Sequence, residues 1–557
     1  MNRRLAALFT ATLFSIGARS AKACGCFTPP DPSVPVVQAG ERLLFSVANG
    51  QVTAHIQIQY AGSASEFGWL LPLPSEPQLE LGTDELFNQL TAQTQPKYRL
   101  QRNFGSCGQR NLFSPTAAFG KGTDESLPPS PLVIEGSIGP YNYAVLKADS
   151  KQPMLDWLEQ NHYFVPVGTD DVVGPYVHTG AFFLALKLKP SAKVGDLQPV
   201  VVHYASDLPM IPIVLSSVAA QKNMGIQVWV LGQGRAIPRN YYHTVLNDAA
   251  IDWLNSGANY NDVIIRATGE APGHHTFVTE YAGTSKVMQK LLNPEGRFGS
   301  ASELAAITDP AKYVAYLLQH GFGQPAPSQP GPFVQPAQLT SQELTILQRY
   351  IPFPTALTKD VTAPQYYSQL DYWLGSYRKQ NPGIFAGYDF TLDSAALTVE
   401  LEERVVNPTV AAGVLFDQYP YLTRLYTTLS PEDMTRDPVF SFNRDLPEVS
   451  NLHQATLDYQ CGYLNRDSST APAVLTTEQG FVIHLPGGVS NAKVPPVSAS
   501  RRIEMLREAG PPEVVTDNSR SIVMQLGAGG CSLGQSSVRG FLWALGLIAL
   551  IALRRRG

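Results

Sequence analysis

Gly273-His274-His275-Thr276, with Glu280 six residues beyond His274, is the cluster whose residue types come closest to a reactive centre. Two imidazoles and a carboxylate can ligate a divalent metal, and the same groups serve general acid and base chemistry. Spacing argues against a shared ion. If Thr276 to Tyr281 is a strand, the adjacent histidines at its mouth point to opposite faces. A surface or turn role is expected for them. Asp437, Asn443 and Asp445 offer oxygen ligands for calcium but lack the regular acidic positions and glycine turn of a calcium loop, so capping of loop backbone is expected.

The chain contains no G-x-S-x-G elbow, phosphate-cradling G-x-x-x-x-G-K-S/T loop, H-E-x-x-H helix or G-x-G-x-x-G fingerprint, which removes the commonest hydrolase, nucleotide, zinc and dinucleotide readings. With 41 basic and 46 acidic residues, and no basic stripe interleaved with aromatics, nothing points to nucleic acid. No catalytic residue and no cofactor are assigned. Trp69, Trp157, Trp229 and Trp253 lie in apolar segments and are expected in the core. A binding or surface protein leads. Its rivals are a secreted hydrolase using His274, His275, Glu280 or residues around Asp437, and a structural subunit of an envelope assembly.

Export follows from the N-terminus. Arg3 and Arg4 precede an apolar stretch from Leu5 to Ala18, and Ala21-Lys22-Ala23 fits a cleavage site, so residues 1–23 read as a signal peptide. At the other end, the apolar run from Gly540 to Leu553 would extend only ~21 Å as a helix, short of the ~30 Å hydrocarbon core. Arg554, Arg555 and Arg556 follow it, on the side that stays cytoplasmic. Of five cysteines, Cys24, Cys26, Cys107 and Cys461 are disulfide candidates once Cys531 is assigned to the tail. A bond between Cys24 and Cys26 would close a very tight ring, so each is expected to reach Cys107 or Cys461. The expected location is the cell envelope, with a membrane tether through the tail or a lipid and an unknown envelope or extracellular ligand.

The elements expected to carry these residues make an α+β fold: a β-rich mixed domain over 24–320, a Pro-rich linker over 321–338, a smaller α+β region over 339–488, a stalk over 489–530 and the tail over 531–557. Alternation on both sides of Asn49-Gly50 predicts a hairpin. TDELFNQLTAQTQ predicts a helix capped by Thr83 or Asp84. DSKQPMLDWLEQNHYF and LTSQELTILQRYI, the latter capped by Ser341, are also expected helices. FFLALKLK, QPVVVHY, IPIVLS, GIQVWVLG, ALTVELEERVV and GFVIHLPGG read as strands, RRIEMLREAG as a short helix, and Arg436 to Cys461 as a long ordered loop.

CGCF at Cys24 to Phe27, QAGERLLF at Gln38 to Phe45, HIQIQYAG at His55 to Gly62, EFGWLLPLPS at Glu66 to Ser75, GPYNYAVL at Gly139 to Leu146, VTEYAG at Val278 to Gly283, YPYLTRLYTTLSPEDM and DPVFSFNRDLPEVSN together resemble the DUF2330 family of uncharacterised bacterial exported proteins. The resemblance spans Cys24 to about Gly488. It implies an exported envelope protein and brings no activity, cofactor or catalytic residue. Gly529-Gly530-Cys531-Ser532-Leu533-Gly534, with the apolar run and arginines, resembles sorting tails of the myxococcal cysteine and proteobacterial glycine-glycine types. That resemblance implies an envelope processing protease and a possible lipid on Cys531.

Overall fold

The computed structural model describes residues 26–27, 40–57, 68–105, 134–147, 149–161, 169–192, 194–323, 338–462 and 467–528. The signal peptide, Cys24, Cys107, most of the Pro-rich linker, and Cys531 with the tail lie outside the described residues. Among those described, no helix is long and apolar enough to cross a membrane.

The fold is mixed α+β, organised on a ten-stranded sheet. Its order runs Glu513–Asp517, Ser500–Met505, Tyr242–Leu246, Thr276–Thr284, Tyr421–Leu429, Met224–Gly232, Glu41–Ala48, Gln51–Gln57, Val200–Ala205 and Gln78–Leu81. The hairpin turns at Asn49 and Gly50, both with positive φ (53° and 70°), as a two-residue turn of this kind requires. Alternation gives the central strands two buried faces. Leu43, Phe45, Val228 and Val230 enter one core, while Leu44, Trp229 and Leu231 enter another on the opposite face.

The first core is closed by a five-stranded sheet, Cys26–Phe27, Gly68–Leu73, Phe182–Leu188, Tyr141–Lys147 and Ile134–Ile138, which contributes Trp69, Leu71, Leu184 and Leu186. The second is closed by the helix Asp84–Thr94, capped by Thr83, whose Leu86, Phe87 and Leu90 fill it. All four tryptophans expected in the core are buried there or in neighbouring clusters. A four-stranded sheet, Val482–Leu485, Ala473–Thr477, Leu452–Tyr459 and Lys97–Asn103, packs with the helix Tyr260–Glu270 around Trp253 and Leu457.

Several local expectations are corrected. ALTVELEERVV is helical, Ser394–Leu401 running through a π turn into Asn407–Gln418, because Leu397, Leu401 and Val405 at spacing four bury on one face. IPIVLS holds a single turn, Ile213–Ser216, behind Pro212. RRIEMLREAG instead forms the strand Ser500–Met505, paired with Tyr242–Leu246. The 436–461 segment contains the strands Phe440–Asn443 and Leu452–Tyr459. The cap of the helix Ser341–Tyr350 is Thr340, in a capping box with Glu343, one residue before the expected Ser341. Residues on both sides of 321–338 share one core, which includes Tyr313 and Leu317 from before it and Leu344 and Leu347 from after it. The strands 500–505 and 513–517, from the expected stalk, form the edge of the large sheet.

Candidate functional site

Three adjacent strands change character at one level on the face covered by the helix Asp84–Thr94. Going down that face, Leu231 and Trp229 give way to Gln227 and Gly225, Leu44 to Arg42 and Gly40, and Leu422 to Arg424 and Tyr426. The register sets Trp229 opposite Arg424, and Gln227 opposite both Tyr426 and Arg42. The polar side chains therefore gather just beyond the C-terminal end of the helix. There they line an open cleft of about 420 Å³ with Gln95, Tyr98, Lys222 and Asn261.

Glu280 enters this cleft because the register of Thr276–Thr284 against Tyr421–Leu429 slips between Thr279 and Tyr281, leaving Glu280 unpaired in a bulge. Its Oε1 accepts from the Tyr260 hydroxyl at 2.7 Å, and its Oε2 accepts from Arg424 Nε. Both partners of the ion pair are buried. Arg424 donates through Nη2 to Gln227 Oε1 at 2.8 Å, and through Nη1 to Thr94 Oγ1 at 3.3 Å and the Thr91 carbonyl at 3.4 Å. That last contact places the cation at the negative end of the helix. The guanidinium also lies 5.2 Å from the Trp229 ring centroid.

Burial, followed by the charge of Glu280, pushes the Tyr260 phenol well above its ordinary value, and the same two causes push Tyr426 up to about 12. Both are neutral donors at physiological pH. Two glycines make room for the tyrosines. A Cβ on Gly225 would come within 2.6 Å of the Tyr426 hydroxyl. Gly257, at φ +78°, sits against the Tyr98 ring, where a side chain would meet both a backbone penalty and a clash.

Of the sequence candidates, Glu280 alone is in this network. His274 Nδ1 and Asp433 Oδ1 lie 2.8 Å apart, and His275 Nε2 lies 2.9 Å from the Asp433 carbonyl oxygen, so the two histidines tie down the turn at Pro431–Asp433. Asp437 accepts from the Tyr176 hydroxyl at 2.7 Å and from Val214 N at 3.0 Å. Asn443 Oδ1 accepts from Asp445 N at 2.7 Å, an Asx turn, and Asp445 Oδ2 accepts from Gly510 N at 2.7 Å. Among the described residues no group of three His, Cys, Asp or Glu side chains could hold a metal ion. Cys461 follows the strand Leu452–Tyr459, and its sulfur is engaged rather than a free thiol. The pairing of the four cysteines lies outside the described side chains.

Sequence reasoning missed Arg424, Gln227 and Tyr260. The available signal was a charge inside an apolar, β-branched run, TRLYTTL, since arginine is seldom buried without a partner.

A family model described as an uncharacterized protein conserved in bacteria (DUF2330) matches residues 19–364, more than half of the chain. No curated protein and no solved structure matches it.

Proposed function

The chain belongs to the DUF2330 family of proteins conserved in bacteria, and from that premise we propose that it is an exported envelope protein that binds a small polar solute in the cleft at Glu280 and Arg424. The observation that carries this reading is the satisfied wall of the cleft. Glu280, Arg424, Tyr260 and Gln227 spend their hydrogen bonds on one another and are fixed before any ligand arrives. Such a wall costs little reorganisation on binding, and it holds no unengaged base beside a nucleophile. The ligand would meet the more exposed Gln95, Lys222 and Asn261 at the rim. The cleft's volume of about 420 Å³ falls in the range of small-molecule sites.

A thermal-shift panel of sugars, polyols, amino acids and short peptides tests the reading, with Lys222→Ala and Asn261→Ala as rim variants. A solute that raises Tm in the wild type should lose at least about tenfold in affinity in the variants, some 1.4 kcal/mol. A panel without effect, or a ligand indifferent to both substitutions, counts against it.

Export and tethering belong to the same proposal. The N-terminal signal pattern, the C-terminal apolar run with its arginines and the cysteine set support it. Mass spectrometry of the protein from membrane and medium fractions should find cleavage near Ala23, a processed or lipidated end at Cys531, and oxidised cysteines. Intact termini with free thiols would refute it.

A further inference from the structure

A second cavity, of about 340 Å³, lies on the other side of Tyr260 and Glu280, which line both. Much of its wall is apolar, including Leu246, Ile251, Val278, Leu446 and Leu506. Arg235 lines it from the strand Arg235–Pro238 and is only 6% exposed. Its Nη1 donates to the Pro447 carbonyl at 3.1 Å, and its Nη2 to Thr279 Oγ1 at 3.1 Å, with His243 Nε2 at 3.5 Å. All three partners are uncharged groups, since His243 is kept neutral by its burial. The Nε–H has no partner, and no described carboxylate lies within ion-pair distance of Arg235.

Glu504, which also lines the cavity, is already committed. Glu504 Oε2 lies 3.3 Å from His243 Nδ1, and Glu504 Oε1 lies 2.8 Å from Arg502 Nη2. Thr279 Oγ1 and His243 Nε2, 3.0 Å apart, complete the chain, with the hydroxyl donating to Nε2 when Nδ1–H faces Glu504. Glu504 is thus shared between His243 and Arg502, and Arg235 is left without a carboxylate of its own at ion-pair distance. Asp248 also lines the cavity, but its carboxylate is engaged by Gln479 N, which donates to its Oδ2 at 2.8 Å. A buried guanidinium without a carboxylate is an expensive arrangement that a bound anion would relieve.

We propose that this cavity binds a small monocarboxylate with an apolar body, its carboxylate on the Arg235 guanidinium and its hydrocarbon against Leu246, Val278 and Leu446. The forked donor geometry of arginine suits a carboxylate, and the apolar wall has no use for a hydrated inorganic anion. This site shares the wall of Tyr98, Tyr260 and Glu280 with the polar cleft but binds through Arg235, which the cleft lacks, so either can fail without the other.

Isothermal titration of the full-length mature protein with hexanoate, 1-hexanol and inorganic phosphate decides it. Hexanoate should bind at least about tenfold more tightly than hexanol, because the charge-assisted hydrogen bonds are available to the acid alone. Arg235→Gln should abolish that preference, while Lys222→Ala, at the rim of the polar cleft, should leave it intact. Should Arg235→Gln fail to fold, the wild-type comparison still decides. Equal binding of hexanol, binding of phosphate as tight as hexanoate, an unchanged preference in a folded Arg235→Gln, or no hexanoate binding up to about 10 mM would each overturn the proposal.

Discussion

Two arginines are buried, Arg424 on the ten-stranded sheet and Arg235 on the strand Arg235–Pro238 of a separate two-stranded sheet, and they are treated differently. Arg424 meets Glu280, Gln227, Thr94 and the end of a helix, and its charge is balanced on the spot. Arg235 meets a carbonyl, a hydroxyl and an imidazole, and its charge is not balanced by any described carboxylate at ion-pair distance. Burial alone therefore does not tell what an arginine is for. Its partners do: a closed network holds a wall in place, whereas an open one has a valence left for something else.

The largest expected effect breaks the closed network. Arg424→Met leaves Glu280 charged, buried and without its cation, and should cost about 3–5 kcal/mol in urea unfolding. Arg235→Met removes a charge that has no described carboxylate at ion-pair distance while depriving the Pro447 carbonyl of its donor. Those terms oppose each other, and the net change should stay within about 1 kcal/mol. If the two substitutions cost the same, the contrast between the arginines is wrong.

A pH dependence sharpens the comparison on the Arg235 side. Burial holds His243 below its ordinary value against the pull of Glu504, and Arg235 and Arg502 act in the same direction as burial. The unfolded imidazole, near 6.5, takes up its proton first as pH falls. This stability is therefore complete above about pH 6.5 and is lost toward the folded value. His55, pushed down to about 3 by burial, loses stability in the same direction, while Asp248, raised to about 6, acts oppositely. Both are common to wild type and variant. Removing Arg235 lifts one of the charges that suppress His243, so the loss between pH 7 and 5 should be smaller in Arg235→Met by up to about 1 kcal/mol.

The smallest effect is expected at the histidine pair. His274→Ala with His275→Ala loosens one surface turn and should cost less than about 1 kcal/mol, with zinc raising Tm in neither protein. A zinc-dependent Tm in the wild type alone would revive the metal reading.

What the sequence made legible was local. Asn49-Gly50 announced its hairpin, Thr83 or Asp84 the start of its helix, and Glu280 was singled out only as a third group beside His274 and His275. ALTVELEERVV satisfied both periods at once. Its alternation suggested a strand, and only packing of Leu397, Leu401 and Val405 decided for the helix. The strand at Ser500–Met505 pairs with Glu513–Asp517 close by and with Tyr242–Leu246 some 250 residues earlier, and no local window contains the second partner. The cleft was hidden for the same reason. Arg42, Gln227 and Arg424 become neighbours only when the strands at 41–48, 224–232 and 421–429 lie side by side.

The central claim is that Arg424 and Glu280 form one closed unit whereas Arg235 stands outside any such pair. A double-mutant cycle in urea unfolding, with Arg424→Met and Glu280→Gln beside Arg235→Met and Glu504→Gln, tests it most directly. The prediction is a coupling of about 2–3 kcal/mol for the first pair and below about 0.5 kcal/mol for the second. Equal couplings, or a first pair that is simply additive, would contradict it.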